Sequence, residues 1–376
     1  MDIETKMDLI TKNTEEVLSA GDLKVLLQQG VPLKHYIGLE ISGKVHLGTG
    51  IMTMLKIRDF QQAGIACSVL LADWHSWIND KLGGDLDVIK RIAGRYFKEG
   101  MKASLECVGG DTEKLKFVLG SNLYHNNDLY WQTVVDISKH ITLARSIRSI
   151  TIMGRKAGEA VDFAKLIYPS MQAADIFIQD INIAHAGTDQ RSAHVIARET
   201  ALKLSKKPLV WKGKKYKPVA VHGHLILGLQ KPPVWPIPAE KTQEVWSSMK
   251  MSKSIPKSAV FIHDTEEEIR TKLNFAFCPP KHTEYNPVLD WAEYLIFREP
   301  KSKLLVERPK KYGGDITFSS YKELKTAFAK GKLHPQDLKN AVAEALIKFL
   351  KPARKHFAKP RIKKMKDELE SLKITR

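Results

Sequence analysis

Four stretches of the chain carry residue types able to do chemistry. In Tyr36-Ile-Gly-Leu-Glu-Ile-Ser-Gly-Lys-Val-His-Leu-Gly-Thr-Gly50 an apolar strand runs into a glycine-rich turn and then a helix. Gly43 and Gly48 let the backbone take positive φ or come close to a ligand. Free N–H groups and the positive end of the helix dipole converge there, with His46 at the point where a phosphate can bind. An ordinary turn with a hydrogen-bonded histidine reads the same way on these residues alone. The second stretch, Lys250-Met-Ser-Lys-Ser254, sets two lysines and two hydroxyls in a polar loop suited to gripping and releasing a polyphosphate, though serine-lysine loops are common. The third is helical: Tyr168, Gln172, Asp175 and Gln179 follow at steps of four, three and four and so share one face. A solvated stripe has the same spacing, but here the flanks are largely apolar. In the fourth set, Asp73-Trp74-His75 and Asp189-Gln190 each follow an apolar run, at the strand ends that border the ligand crevice of an open parallel sheet.

The elements that must hold these residues alternate. A strand over 35–42 leads to a helix whose Ile51, Met54, Leu55, Ile57 and Phe60 recur at helical spacing up to Gly64. The nearly all-apolar run 66–73 reads as a strand covered on both faces. A helix over about 88–105, a strand near 115–119, a strand at 181–185, a helix to about Leu204 and a strand at 219–227 continue the pattern. The fold class expected is α/β, a Rossmann-like doubly wound parallel sheet, with a helical insertion at about 122–165 and an all-α C-terminal domain. Residues 1–30 read as helical, and Pro169 suits the first turn of a helix. Beyond Thr265 the pattern is helical with no further strand, including stripes over 338–350 and 360–372. The domains expected are a catalytic domain at 1–245, a mobile loop and linker at 246–264, and a basic helical domain at 265–376.

Composition narrows the class. At 376 residues the chain is long enough for two domains. No apolar run approaches the ~20 residues that cross a bilayer, and Asp2, Glu4 and Lys6 stand where a signal peptide would be apolar, which predicts a soluble, cytoplasmic protein with no membrane partner. Cys67, Cys107 and Cys278 form no CxxC pair, so neither a disulfide framework nor a protein-bound metal is expected. Residues 301–376 hold 21 Lys and Arg against 8 Asp and Glu, placing +13 of the net +18 there. Such density favours a nucleic-acid partner through counterion release, the alternative being a solvated lysine surface.

The order and spacing of Tyr36, the His46-Leu-Gly48 turn, Tyr168-xxx-Gln172-xx-Asp175, Gly187-x-Asp-Gln190, Lys250-Met-Ser-Lys-Ser254 and the segment Lys332 to Glu344 closely resemble the archaeal and eukaryotic form of the tyrosyl-tRNA synthetases, a class I family. The resemblance spans nearly the whole chain. It implies a ligase that joins tyrosine to tRNA(Tyr) through a tyrosyl adenylate, using ATP with Mg2+. It implies that Tyr36 and Asp175 meet the substrate phenol, with His75 beside them, while Tyr168, Gln172 and Gln190 hold the ammonium group. His46, Lys250 and Lys253 would be catalytic, and Gly38, Gly48, Thr49, Asp189 and Ser252 would lie at the nucleotide. Arg148 and Arg191 would meet the acceptor end of tRNA, and Tyr312 and Asp337 the first anticodon base. Residues 122–165 would form the interface of a homodimer. Thr49 departs from the family, which usually has a second histidine there; a threonine can donate a hydrogen bond but brings no positive charge. A tryptophan-specific synthetase of the same fold and a non-catalytic RNA-binding relative are the rival readings.

Overall fold

The structure, a computed structural model, describes residues 1–154, 162–238, 249–251 and 256–372. By packing the chain forms two compact units, the first from Met1–Gly43, Thr53–His224 and Lys364–Arg376, the second from Lys44–Met52 and Leu225–Lys363.

The first unit is organised by a six-stranded sheet. Across the sheet the strands lie in the order Glu16–Leu18, Val219–Gly223, Ile183–Gly187, Lys34–Leu39, Ala66–Leu71 and Leu115–Leu119. The first pairs antiparallel and the remainder parallel. Ala66–Leu71 is buried along five of its six positions, as expected of a strand with helices on both faces. Lys34–Leu39 pairs on one side with Ala66–Leu71 and on the other with Ile183–Gly187. The chain therefore builds outward in one direction and then returns to the opposite side of Lys34–Leu39, which makes this strand the switch point where α/β sheets bind ligands.

Three local features differ from the sequence reading. The N-terminal segment is two helices, Ile3–Thr11 and Ala20–Gln28, separated by the edge strand Glu16–Leu18. Three residues are too few to show a period. Pro169 lies inside the helix Phe163–Ile178 rather than in its first turn, because Asp162 caps that helix by accepting from the Lys165 N–H at 3.2 Å. Proline removes one rung of the ladder here, and the neighbouring Leu166 carbonyl takes a bond from Ser146 Oγ at 2.5 Å. Past Thr265 a two-stranded antiparallel ribbon, Leu304–Val306 with Ile316–Phe318, joins the helices.

In the second unit, the segment Lys44–Met52 packs with residues 260–262: Leu47 N–H donates to Val260 O at 3.0 Å and Ile262 N–H to Val45 O at 3.1 Å. Trp291 Nε1 donates to Leu227 O at 2.7 Å, and Leu227 N–H donates to Asp290 Oδ2 at 2.9 Å. Helices Glu266–Asn274, Tyr321–Ala329, Pro335–Phe349 and Lys351–Phe357 complete it. Among the described residues no helix is long and apolar enough to cross a membrane.

Candidate active site

In the first unit the switch-point strand and the helix Phe163–Ile178 bring the polar stripe together with strand-end residues. Tyr36 is 1% exposed, and its hydroxyl lies 3.5 Å from the Gln172 carbonyl, at the outer limit of a hydrogen bond. Asp175, one turn further along the helix, is also 1% exposed. Burial pushes its carboxyl well above the ordinary range, and the phenols of Tyr124 and Tyr130 pull it partly back. His75 Nε2 stands 3.6 Å from Asp175 Oδ2. Burial drives the His75 imidazole down to about 3, so the ring is neutral and this contact is not an ion pair. The His75 and Tyr168 rings meet edge to face at 4.6 Å.

The other end of the pocket is an amide chain. Gln190 Nε2 donates to Ile152 O at 2.8 Å, and its Oε1 accepts from Gln172 Nε2 at 3.2 Å. That fixes the Gln172 amide with its oxygen turned away, and Gln172 Oε1 has no hydrogen-bond partner among the described residues. The same holds for Asp175 Oδ1 and His75 Nε2. Buried polar atoms are nearly all paired in native proteins, so three orphans lining one pocket mark where a ligand supplies the missing partners. A hydroxyl suits Asp175 Oδ1, and a cationic donor suits Gln172 Oε1.

Four pocket residues, Glu40, Asn79, Tyr124 and Tyr130, escaped the sequence reading. Tyr168 Oη donates to Glu40 Oε1 at 2.8 Å, and Asn79 Nδ2 donates to the same carboxylate at 3.0 Å. Glu40 closes the end of its strand, and an acid just beyond an apolar strand was the available signal. Tyr124 and Tyr130 pack ring to ring at 4.4 Å, tilted by 31°, behind Asp175, and nothing in their spacing marks them. Of the Asp73-Trp74-His75 set only His75 enters the pocket, since Asp73 accepts from Ser121 N–H at 2.9 Å and holds the turn at Gly120. Gly38 supports the pocket from below: a Cβ there would meet Tyr36 Cε2 at 3.5 Å and its hydroxyl at 3.7 Å. Gln179, the last of the stripe, only folds back on the Asp175 carbonyl at 2.9 Å. Asp189 is half-buried in the 3-10 turn Thr188–Gln190 that follows strand Ile183–Gly187.

In the second unit His46 is buried and bridged to Phe261. Thr49 N–H donates to His46 Nδ1 at 3.2 Å, which in a neutral ring leaves the proton on Nε2, 3.2 Å from Thr49 Oγ1. Gly43 has the positive φ expected of it, +118°. Gly48 does not need one; it is small because a Cβ would stand 3.1 Å from His46 Cε1. The helix expected at Gly50 opens as a π-turn at Gly48–Met52. Lys250 is half-buried and bridged to Leu227, with Met251 N–H donating to Ile226 O at 3.1 Å. Ser252 and Lys253 lie outside the described residues.

Residues 28–351 match the family of tRNA synthetases class I (W and Y). The chain is 63% identical to the tyrosine–tRNA ligase of Thermococcus sibiricus, over 96% of either sequence. The chain belongs to the tyrosyl-tRNA synthetase family. It also resembles the crystal structure of tyrosyl-tRNA synthetase complexed with L-tyrosine from Pyrococcus horikoshii, with a TM-score of 0.95 and 60% identity, covering 98% of this chain and 100% of that one. A tryptophanyl-tRNA synthetase from Aeropyrum pernix, at 20% identity and a TM-score of 0.64 over 95% of this chain and 85% of that one, shares the fold alone.

Of the residues that the tyrosyl-tRNA synthetase resemblance assigns to tRNA, two belong to the first unit and two to the second. Arg148 is exposed in the last turn of helix Leu143–Ser149. Arg191 is exposed too, and its Nε donates to both Glu16 oxygens at 3.0 and 2.9 Å. Tyr312 is 62% exposed in the turn Lys310–Tyr312. Asp337 sits in the first turn of helix Pro335–Phe349, whose cap is His334, so Asp337 is not needed as the N-cap.

Proposed function

We infer that this chain is a tyrosine–tRNA ligase: it activates L-tyrosine with ATP and transfers the tyrosyl group to the 3′ end of tRNA(Tyr). The observation that carries the reading is the set of orphaned atoms in the first unit. Tyr36 and Asp175 bond the substrate's phenol hydroxyl, and Gln172 Oε1 receives its ammonium group, held in place by Gln190 and flanked by Tyr168. Glu40 keeps the Tyr168 hydroxyl oriented. An indole offers an N–H but no acceptor, and would leave the Tyr36 hydroxyl without a partner from the substrate.

The chemistry needs no protein nucleophile. The tyrosine carboxylate attacks the α-phosphorus of ATP, bound as its magnesium complex; the bond to the bridging oxygen breaks, and pyrophosphate leaves. A terminal ribose hydroxyl of tRNA then attacks the adenylate carbonyl, and AMP departs. The protein supplies position and donors to oxygens that gain charge. His46 Nε2–H, the N–H groups of the Gly48 turn and Thr49 serve that role, with Lys250, Ser252 and Lys253 on the pyrophosphate and Gly38 and Asp189 at the nucleoside. Residues 1–245 form the catalytic domain, 246–264 the loop and linker, and 265–376 the anticodon-binding domain. Arg148 and Arg191 hold the acceptor end, while Tyr312 and Asp337 read the first anticodon base. The protein works in the cytoplasm as a homodimer, a reading supported by the large apolar side chains exposed between residues 129 and 163: Val135 at 59%, Leu143 at 65% and Phe163 at 74%.

The deciding experiment is ATP–pyrophosphate exchange with tyrosine, with tryptophan and without amino acid. Exchange is expected with tyrosine only; exchange with tryptophan would overturn the substrate assignment, and no exchange would leave an RNA-binding protein. Gly48→Ala tests the His46 cradle. Its Cβ would crowd the imidazole and shift it off Thr49, so exchange is expected to fall about tenfold while tyrosine affinity holds. Unchanged exchange would remove His46 orientation from the mechanism.

A further inference from the structure

Phe275 is the most exposed large apolar side chain of the second unit, at 80%, and it makes no ring contact among the described residues. A single exposed apolar residue needs no explanation in itself; Phe275 is set apart by its place. Helices Glu266–Asn274 and Pro335–Phe349 run side by side in antiparallel register. Arg270 Nε bonds Glu344 Oε1 at 2.7 Å, and Lys339 Nζ bonds the Asn274 carbonyl at 2.9 Å. One residue further along, Phe275 caps the first helix at the end that Lys339, two residues past Asp337, ties to the second. Its backbone is ordered, with the N–H bonded to Thr271 O at 3.2 Å, so the ring stands on a helix end rather than a loop tip.

The turn bearing Tyr312 is tied to the same place. Arg308 Nε donates to Gly314 O at 2.9 Å and its Nη1 donates to Lys332 O at 3.1 Å, just before the helix begins. The helix end that carries Phe275 and the turn that carries Tyr312 are therefore both tied to the start of the helix that bears the half-buried Asp337, through Lys339 and Lys332, and Lys281 packs beside Gly331 just before it. Aromatic faces set in a cationic surface are how proteins hold unstacked bases, since every base offers a π-face and its phosphate a charge.

We propose that Phe275 is a stacking platform for a second anticodon-loop base, next to the one that Asp337 and Tyr312 read. The proposal rests on the assignment of those two residues to the anticodon. Phe275→Ala should raise KM for a tRNA(Tyr) transcript about tenfold and leave tyrosine-dependent pyrophosphate exchange within about twofold of wild type; Phe275→Trp should restore the low KM. A transcript with 2-aminopurine at the nucleotide after the first anticodon base should lose fluorescence on binding the wild type and the Trp variant, and not on binding Phe275→Ala. If Phe275→Ala leaves KM and quenching unchanged while Asp337→Ala and Tyr312→Ala raise KM, the platform is wrong and the anticodon surface stands. If all three variants leave KM unchanged, the surface itself is misplaced. A loss of exchange in Phe275→Ala would mark a structural role and also overturn the proposal.

Discussion

Replacing Asp175 by Asn is expected to collapse the discrimination between tyrosine and phenylalanine. The carboxyl is 1% exposed and its Oδ1 has no partner among the described residues, so a substrate hydroxyl completes it and a phenyl ring leaves it buried and unpaired. Sites that bond a substrate hydroxyl reject its deoxy analogue by about 10⁴–10⁵, a range established on tyrosyl-tRNA synthetase itself. With Asn in place, kcat/KM for tyrosine should fall by roughly a hundredfold, while that for phenylalanine changes by less than about tenfold. Tyr36→Phe should move the ratio the same way. Pyrophosphate exchange titrated with either amino acid measures both quantities, and a selectivity ratio equal to the wild-type value would refute the assignment of the phenol site. The shape of the pocket should survive the change, because Asn is isosteric and Tyr124 and Tyr130 keep their mutual ring contact.

His46→Ala should lower the exchange rate by about 10²–10³ with tyrosine affinity unchanged. The ring is held by Thr49 on both nitrogens, which fixes its orientation before the nucleotide arrives and leaves Nε2–H to pass from the Thr49 hydroxyl to a phosphate oxygen. A preorganised donor is worth far more to a developing negative charge than one that must be ordered during reaction. Exchange rates against ATP and tyrosine dissociation by equilibrium dialysis separate the two effects. If tyrosine binding weakens in step with exchange, His46 acts on the fold of the turn and not on the phosphates. Thr49 enters the same test: Thr49→Ala should give a smaller loss than His46→Ala, because it removes an orienting contact and leaves the imidazole.

The local patterns were legible in the chain because they are local. Steps of four and three bring Tyr168, Gln172 and Asp175 onto one face whatever surrounds them, and a nearly all-apolar run such as 66–71 has little choice but to be a covered strand. Phosphate-suited turns announce themselves through glycine. Contacts between distant segments carry no such mark. Glu40 meets Tyr168 across 128 positions of sequence, and Tyr124 and Tyr130 reach Asp175 from two other helices. The partnership of Lys44–Met52 with residues 260–262 is likewise set by main-chain bonds that any side chains could make. The ribbon at Leu304–Val306 and Ile316–Phe318 is too short for alternation to show. Protonation follows the same division. Residue type placed His75 in the pocket, but only burial, a property of the assembled fold, makes it neutral and raises the Asp175 carboxyl. Sequence thus specified which groups were on hand and which way each helix and strand would face; packing chose their neighbours and left three polar atoms of the pocket without a partner among the described residues, because desolvation and long-range pairing exist only once the chain has closed on itself.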